Sequence, residues 1–125
     1  MARVETVAAA PVADVAAEPF GPLAHALERD LPAPEKVPGG QSVAFSIASP
    51  FGTYQGLTAL KDSRGAAVRI TDEGLFEAQR ALAHEEGIFA EPSSIASLTA
   101  VMQMRARKTL DPDHTIVVVI TSTGL

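Results

Sequence analysis

Apolar and polar positions change their period several times along this chain, and each change marks an expected element. Val4–Ala10 (VETVAAA) is apolar and bounded by Pro11, which reads as a short strand. Pro11–Pro22 holds three prolines and Gly21 and reads as loop. Leu23, Leu27 and Leu31 recur every four residues, the mark of a short helix with one apolar face. Pro32–Gly40 (PAPEKVPGG) breaks the pattern as a surface crossing. Ser42–Ile47 fits either a strand or one helical turn, and Pro50 pushes Ser49 into a turn. Tyr54, Leu57 and Leu60 suit a helix over Thr53–Lys61, with Gly65 as its left-handed cap. Ala66–Ile70 (AAVRI) reads as a strand.

The second half is written more tightly. Thr71 is a natural N-cap, with Asp72 and Glu73 in the first turn where the helix dipole favours them. The apolar face of that helix is expected at Leu75, Phe76, Gln79, Leu82 and Ala83, and Gly87 ends it. Ile88-Phe89-Ala90 is a short apolar step. Glu91-Pro92-Ser93-Ser94 opens another helix, with Pro92 suited to its first turn and either Glu91 or Ser93 to its cap. Ile95, Leu98, Val101, Met102 and Arg105 keep helical spacing, while Ala96, Ser97 and Ala100 permit a close neighbour. After a turn at Asp111-Pro112-Asp113, Thr115–Ile120 (TIVVVI) is β-branched without alternation, as expected of a strand buried on both faces. The order strand, helix, helix, strand, helix, helix, strand predicts one α/β domain over residues 1–125. It is a three-layer arrangement, a partial parallel sheet flanked by helices with right-handed crossovers. Residues 1–40 are the loosely organised part. A three-stranded sheet whose middle strand is this apolar looks like a piece of a wider sheet.

Composition narrows the function. Alanine supplies much of the 46 % apolar content and tryptophan is absent, so apolar area per core position is small. Ten basic against fifteen acidic residues argue against nucleic acid or an anionic membrane as partner. The absence of cysteine excludes disulfides, thiolate nucleophiles and thiolate metal sites. His25, His84 and His114 lie far apart without metal spacing. Glu5, Pro11 and Asp14 break the N-terminal apolar run, so it does not read as a signal peptide, and the expected compartment is cytoplasmic.

Ligands of open parallel sheets sit at the carboxyl ends of strands. Here that end is Thr121-Ser122-Thr123-Gly124, whose hydroxyls could serve a phosphate, a carboxylate or a ring nitrogen, or simply turn and solvate a strand end. Ser93 and Ser94 could face an anion at a helix N-terminus, or simply cap it. Lys36, Lys61 and Lys108 sit beside turns or at a helix end, not in the apolar setting that makes a lysine nucleophilic. No catalytic residue and no metal site emerge.

The run ITDEGLFEAQRALAHEEGIFAEPSSIASLTAV, followed by LDPDHTIVVVITSTG, resembles the C-terminal part of threonine synthase. The resemblance is strongest over Ile70–Leu125 and extends over Val43–Leu60 and Val4–Leu27. It implies a fold type II pyridoxal-phosphate enzyme, of the tryptophan-synthase-β-like class. Such enzymes convert O-phospho-L-homoserine and water to L-threonine and phosphate; the related dehydratase-like lyases are the alternative activity. By resemblance, Thr121 is the hydroxyl that meets the cofactor's pyridine nitrogen and Gly124 is the last glycine of a T-G-H-G signature. Ser122 and Thr123 depart from that signature. Glu91, Pro92 and Ser93 match the step packed beside the cofactor pocket. The family's Schiff-base lysine, phosphate-holding loop and ring-contacting asparagine lie upstream of the matching part and have no counterpart here. The resemblance therefore implies an inactive isolated chain. It also implies a partner, either a chain carrying the missing N-terminal portion or a second copy joined through an incomplete sheet. A third reading is an independent α/β protein binding an anionic metabolite at Thr121–Gly124.

Overall fold

The computed structural model describes residues 11–125, so the strand expected over Val4–Ala10 lies outside the described residues. Strand β1 (Ala13–Ala17) leads into helix α1 (Pro22–Glu28), a 3-10 turn at Phe45–Ile47 and helix α2 (Tyr54–Ser63). Strand β2 (Ala66–Ile70), helix α3 (Asp72–Glu86) and helix α4 (Pro92–Ala106) follow. β1 and β2 pair in parallel, with Ala13 opposite Ala66 and Ala17 opposite Ile70. Strand alternation sorts the packing. Val15, Ala17, Val68 and Ile70 face Leu75, Ala78, Ile95, Ala96 and Ala100 of α3 and α4. Ala67 faces Leu23, Ala26, Leu57 and Leu60 of α1 and α2. The result is the expected α/β arrangement of a small parallel sheet between helix pairs. Among the described residues no helix is long and apolar enough to cross a membrane.

Several expectations need correction. Pro11–Pro22 is not all loop: it contains β1, whose Ala-rich sequence has little strand preference and takes its conformation from the ladder with β2. Gly65 is not the left-handed cap of α2. Arg64 is, at φ 53° and ψ 38°, and Gly65 is where the chain passes close to the Val12 backbone. Thr115–Ile120 forms no strand and is not buried on both faces; Val117 is 85 % and Val119 64 % exposed. A β-branched run specifies a strand only where a neighbour offers backbone groups, and β1 and β2 pair with each other instead.

The helices of the second half follow the sequence closely. Thr71 Oγ1 accepts from the Gly74 N–H at 3.2 Å, and Gly87 ends α3 at φ 68°. Phe76, expected inside, is 41 % exposed; the buried line of α3 is Leu75 and Ala78, continued by half-buried Leu82. On α4 the buried face is Ser94, Ile95, Ala96, Thr99 and Ala100, so the small residues are the ones pressed against sheet and helix. Met102 points out.

Two carboxylates give the fold opposing pH responses. Burial raises the Asp14 carboxyl above its ordinary value. Its hydrogen bond from Arg69 holds Glu28 below, aided by the charges of Arg69, His25 and Arg29. Asp14 therefore stabilises the fold only below its unfolded value and costs stability as pH rises through its folded value. Glu28 stabilises above its unfolded value, and that contribution is lost as pH falls through its folded one. Asp14→Asn is expected to raise the urea midpoint at pH 7 and to converge with the parent protein in acid. Equal midpoint shifts at both pH values would remove burial of the charge as the cause.

Candidate functional site

The chain's end folds back onto the step between α3 and α4. Thr123 and Ala90 form an antiparallel bridge, the Gly124 N–H donates to the Phe89 carbonyl at 3.0 Å, and the Glu91 N–H reaches the Ser122 carbonyl at 3.4 Å. The buried Ala90 is tied to α3 as well, since Gln79 Nε2 donates to its carbonyl at 2.6 Å. Across this joint the hydroxyls of Thr121 and Ser94 lie 2.8 Å apart. One of the pair donates to the other, and exposed Thr121 keeps hydrogen-bonding capacity toward solvent.

Of the four residues singled out in the sequence, the structure brings Thr121, Gly124 and Glu91 to one joint. Ser93 is half-buried at the second position of α4, and the contact to Thr121 is made by its neighbour. That neighbour, Ser94, is read in the sequence as a candidate for an anion or a cap, not as a partner of Thr121. It is buried, three positions after the Glu91 cap, and its Oγ is 3.5 Å from Glu91 Oε1. The N–H groups of Ser94 and Ile95 both donate to the Glu91 carbonyl at 3.0 Å. The helix start thus satisfies much of its own demand and places a carboxylate beside it.

A groove of about 550 Å³ lies elsewhere, between Phe20, Val43, Phe45 and Asp72. Its polar groups already serve one another. The Asp72 carboxylate accepts from Ser42 Oγ at 2.6 Å and from the Val43 N–H at 3.1 Å, and Ser42 Oγ accepts from the Ala44 N–H at 3.1 Å. These contacts pin the crossing before α2 to the start of α3.

A family model described as pyridoxal-phosphate dependent enzyme matches residues 4–122. The chain belongs to that family. It is 37 % identical over 92 residues to threonine synthase of Methanocaldococcus jannaschii, covering 74 % of this chain and 23 % of that protein. With threonine synthase of Methanosarcina acetivorans it shares 33 % over 109 residues, 86 % of this chain and 27 % of the relative. The chain thus spans about a quarter of the length of these relatives. Among solved structures it is similar to a threonine deaminase from T.th., with a TM-score of 0.64 and 21 % identity over 78 % of this chain and 35 % of that one. Serine racemase from Dictyostelium discoideum gives a TM-score of 0.54 and 16 % identity over 83 % and 32 %. These likenesses establish the fold, that of the fold type II enzymes of this family.

The residues present fit only one end of pyridoxal phosphate. Thr121, steadied by Ser94, suits a ring nitrogen. The aldehyde end needs a lysine, and this chain's three are placed elsewhere. Lys61 Nζ donates to the Leu31 carbonyl at 2.7 Å beside α1, and Lys36 Nζ stands 5.4 Å over the Phe51 ring. Lys108 lies past the far end of α4, about 20 Å along the helix axis from Ser94 at its ordinary rise. The phosphate end needs donors free of negative charge, whereas the start of α4 has Pro92 without an N–H, two N–H groups engaged and the Glu91 carboxylate. The whole cofactor does not fit on the residues of this chain alone.

Proposed function

We propose that this chain is a threonine-synthase-like segment that forms the ring-nitrogen wall of a pyridoxal-phosphate pocket and is catalytically inactive by itself. The observation that carries the reading is the Ser94–Thr121 hydroxyl pair, set at the joint of α4 with the chain's end in a chain whose named relatives are threonine synthases. In such a pocket Thr121 would meet the ring nitrogen, Gly124 and Glu91 would hold the tail against the Phe89–Glu91 step, and Ser93 would flank the pocket wall. Ser94 would fix the direction of the Thr121 hydroxyl. The cofactor supplies the electron sink for replacing the phosphate of O-phospho-L-homoserine with water. That chemistry needs an amine and a phosphate cradle that these residues do not provide. A dehydratase-like lyase is the second reading, favoured by the threonine deaminase likeness, which is one of fold.

Purified chain titrated with pyridoxal phosphate is expected to develop no Schiff-base absorbance band and to release no phosphate from O-phospho-L-homoserine. A band that disappears when Lys36, Lys61 or Lys108 is replaced by alanine would overturn the proposal.

A further inference from the structure

Gln79 is a polar residue in an apolar row. On α3 it falls four residues after Leu75 and three before Leu82, the spacing of one helix face. Leu75 and Leu82 pack into the core, and Gln79 is half-buried beside them. A polar group in such a row costs stability unless it is hydrogen-bonded. Its amide Nε2 donates to the carbonyl of buried Ala90 at 2.6 Å. Only the amide nitrogen can serve there, because the partner is an acceptor.

That bond falls on the unpaired edge of the Phe89–Glu91 step. The tail takes the other edge, through the Gly124 N–H to the Phe89 carbonyl at 3.0 Å and the Glu91 N–H to the Ser122 carbonyl at 3.4 Å. Ala90 lies between these bonds, opposite Thr123, as the non-hydrogen-bonded member of an antiparallel pair. Its own carbonyl therefore points away from the tail. In a sheet a further strand would meet it. Here a side chain does, and among the described residues Gln79 makes the only hydrogen bond to Ala90. The tail moves with the step in another respect, since the Phe89 ring lies against Gly124 where a Cβ would collide with it. The same tail carries Thr121, whose hydroxyl is 2.8 Å from that of Ser94.

We propose that Gln79 is a positioning residue of the candidate site: its amide fixes the Phe89–Glu91 step from α3, and through the step it fixes the tail that bears Thr121. The lever is the N–H donor and not the bulk of the side chain. A leucine would fill the same place in the row but would leave the buried Ala90 carbonyl without a partner. The inference rests on the ring-nitrogen reading of Thr121 only for what the placement serves. The placement itself rests on the hydrogen bonds across the step.

The test follows hydrogen exchange at the Gly124 and Glu91 N–H groups of the full chain, as protection relative to the intrinsic rate, with amides inside α3 as reference. Gln79→Leu keeps the bulk and removes the donor. It should lower protection at both amides about tenfold at neutral pH and leave the α3 amides unchanged. Gln79→Glu makes the bond depend on pH: the neutral acid at about pH 3.5 can donate to Ala90, and the carboxylate at about pH 7 cannot. Its tail protection should match the parent's in acid and fall about tenfold or more below it at neutral pH. Glu91 beside Ala90, and exposed Glu77 and Arg80 beside Gln79, are common to every variant, so each is compared with the parent at the same pH. Should acid unfold the parent, Gln79→Leu decides alone; should the leucine variant not fold, Gln79→Glu decides. Unchanged tail protection in Gln79→Leu overturns the proposal. So does a loss shared equally by the tail and α3, or a Gln79→Glu variant indifferent to pH, since either assigns Gln79 to packing. No cofactor enters the measurement. A lysine-dependent Schiff-base band therefore removes the reading of the chain as inactive and leaves this result standing, and failure here leaves that reading to its own titration.

Discussion

Ile95→Ala is expected to lower the unfolding free energy by about 3–4 kcal/mol, in the upper half of the range for such truncations. The reason is the make-up of the core between the sheet and the α3–α4 pair. Alanines 17, 44, 78, 90, 96 and 100 set the spacing there, and Phe20, Ile70, Leu75 and Ile95 are the only large buried side chains in the cluster. With so few, each carries a large share of the transfer free energy. Alanines have no reach with which to fill a hole, and their close backbone contacts resist collapse, so the cavity term adds nearly in full. The loss would be a large fraction of a typical domain's stability of about 5–15 kcal/mol. Urea unfolding followed by circular dichroism measures it, with Ile95→Val as a control expected to cost about 1 kcal/mol. A cost near that control for the alanine variant would show that α4 shifts to fill the space.

How much of this was legible in the sequence depended on whether the signal was local. Thr71, Gly87 and Pro92 mark helix ends by their own backbone chemistry, and the structure keeps all three in those roles. β1 was not legible, because Ala-Asp-Val-Ala-Ala becomes a strand only through the backbone of β2 more than fifty residues away. Thr115–Ile120 misled in the opposite sense: its local preference is strong, but pairing is a property of neighbours. The candidate site shows the same division. Thr121 and Gly124 are singled out by their place after the run and by resemblance, Glu91 by the helix start and by resemblance, and the structure brings the three to one joint. Choosing between Ser93 and Ser94 required the phase of α4, which depends on whether Glu91 or Ser93 is the cap. With Glu91 as cap, Ser94 occupies the third helical position and turns back toward the tail. Pro92 at the first helical position was the available clue, since it makes Glu91 the cap and Ser94 the third residue of the helix.

Gly65→Ala is expected to cost about 3 kcal/mol, because the added methyl collides with backbone. An ideal Cβ at this position falls well inside van der Waals contact with the Val12 carbonyl oxygen. That oxygen cannot turn aside as a side chain would, since it accepts the Ala66 N–H at 3.1 Å where the parallel ladder begins. The Val12 N–H is held in turn by Ser63 Oγ at 3.4 Å, and the Gly65 N–H is committed to the Leu60 carbonyl at 2.8 Å. Relief therefore requires moving the start of β1 away from β2, which loosens the Ala13–Ala66 register and the packing of Ala17 and Ile70 behind it. Arg64→Gly separates this account from the one in which Gly65 serves as a left-handed cap. Arg64 bears the positive φ, so glycine there should stabilise by up to about 1 kcal/mol. Denaturant midpoints for the two variants, with hydrogen exchange at the Ala66 N–H, decide the matter. Close approach predicts a large loss with fast exchange at Ala66 for Gly65→Ala and a small gain for Arg64→Gly. A mild loss at position 65 with no gain at position 64 would return the special conformation to the glycine.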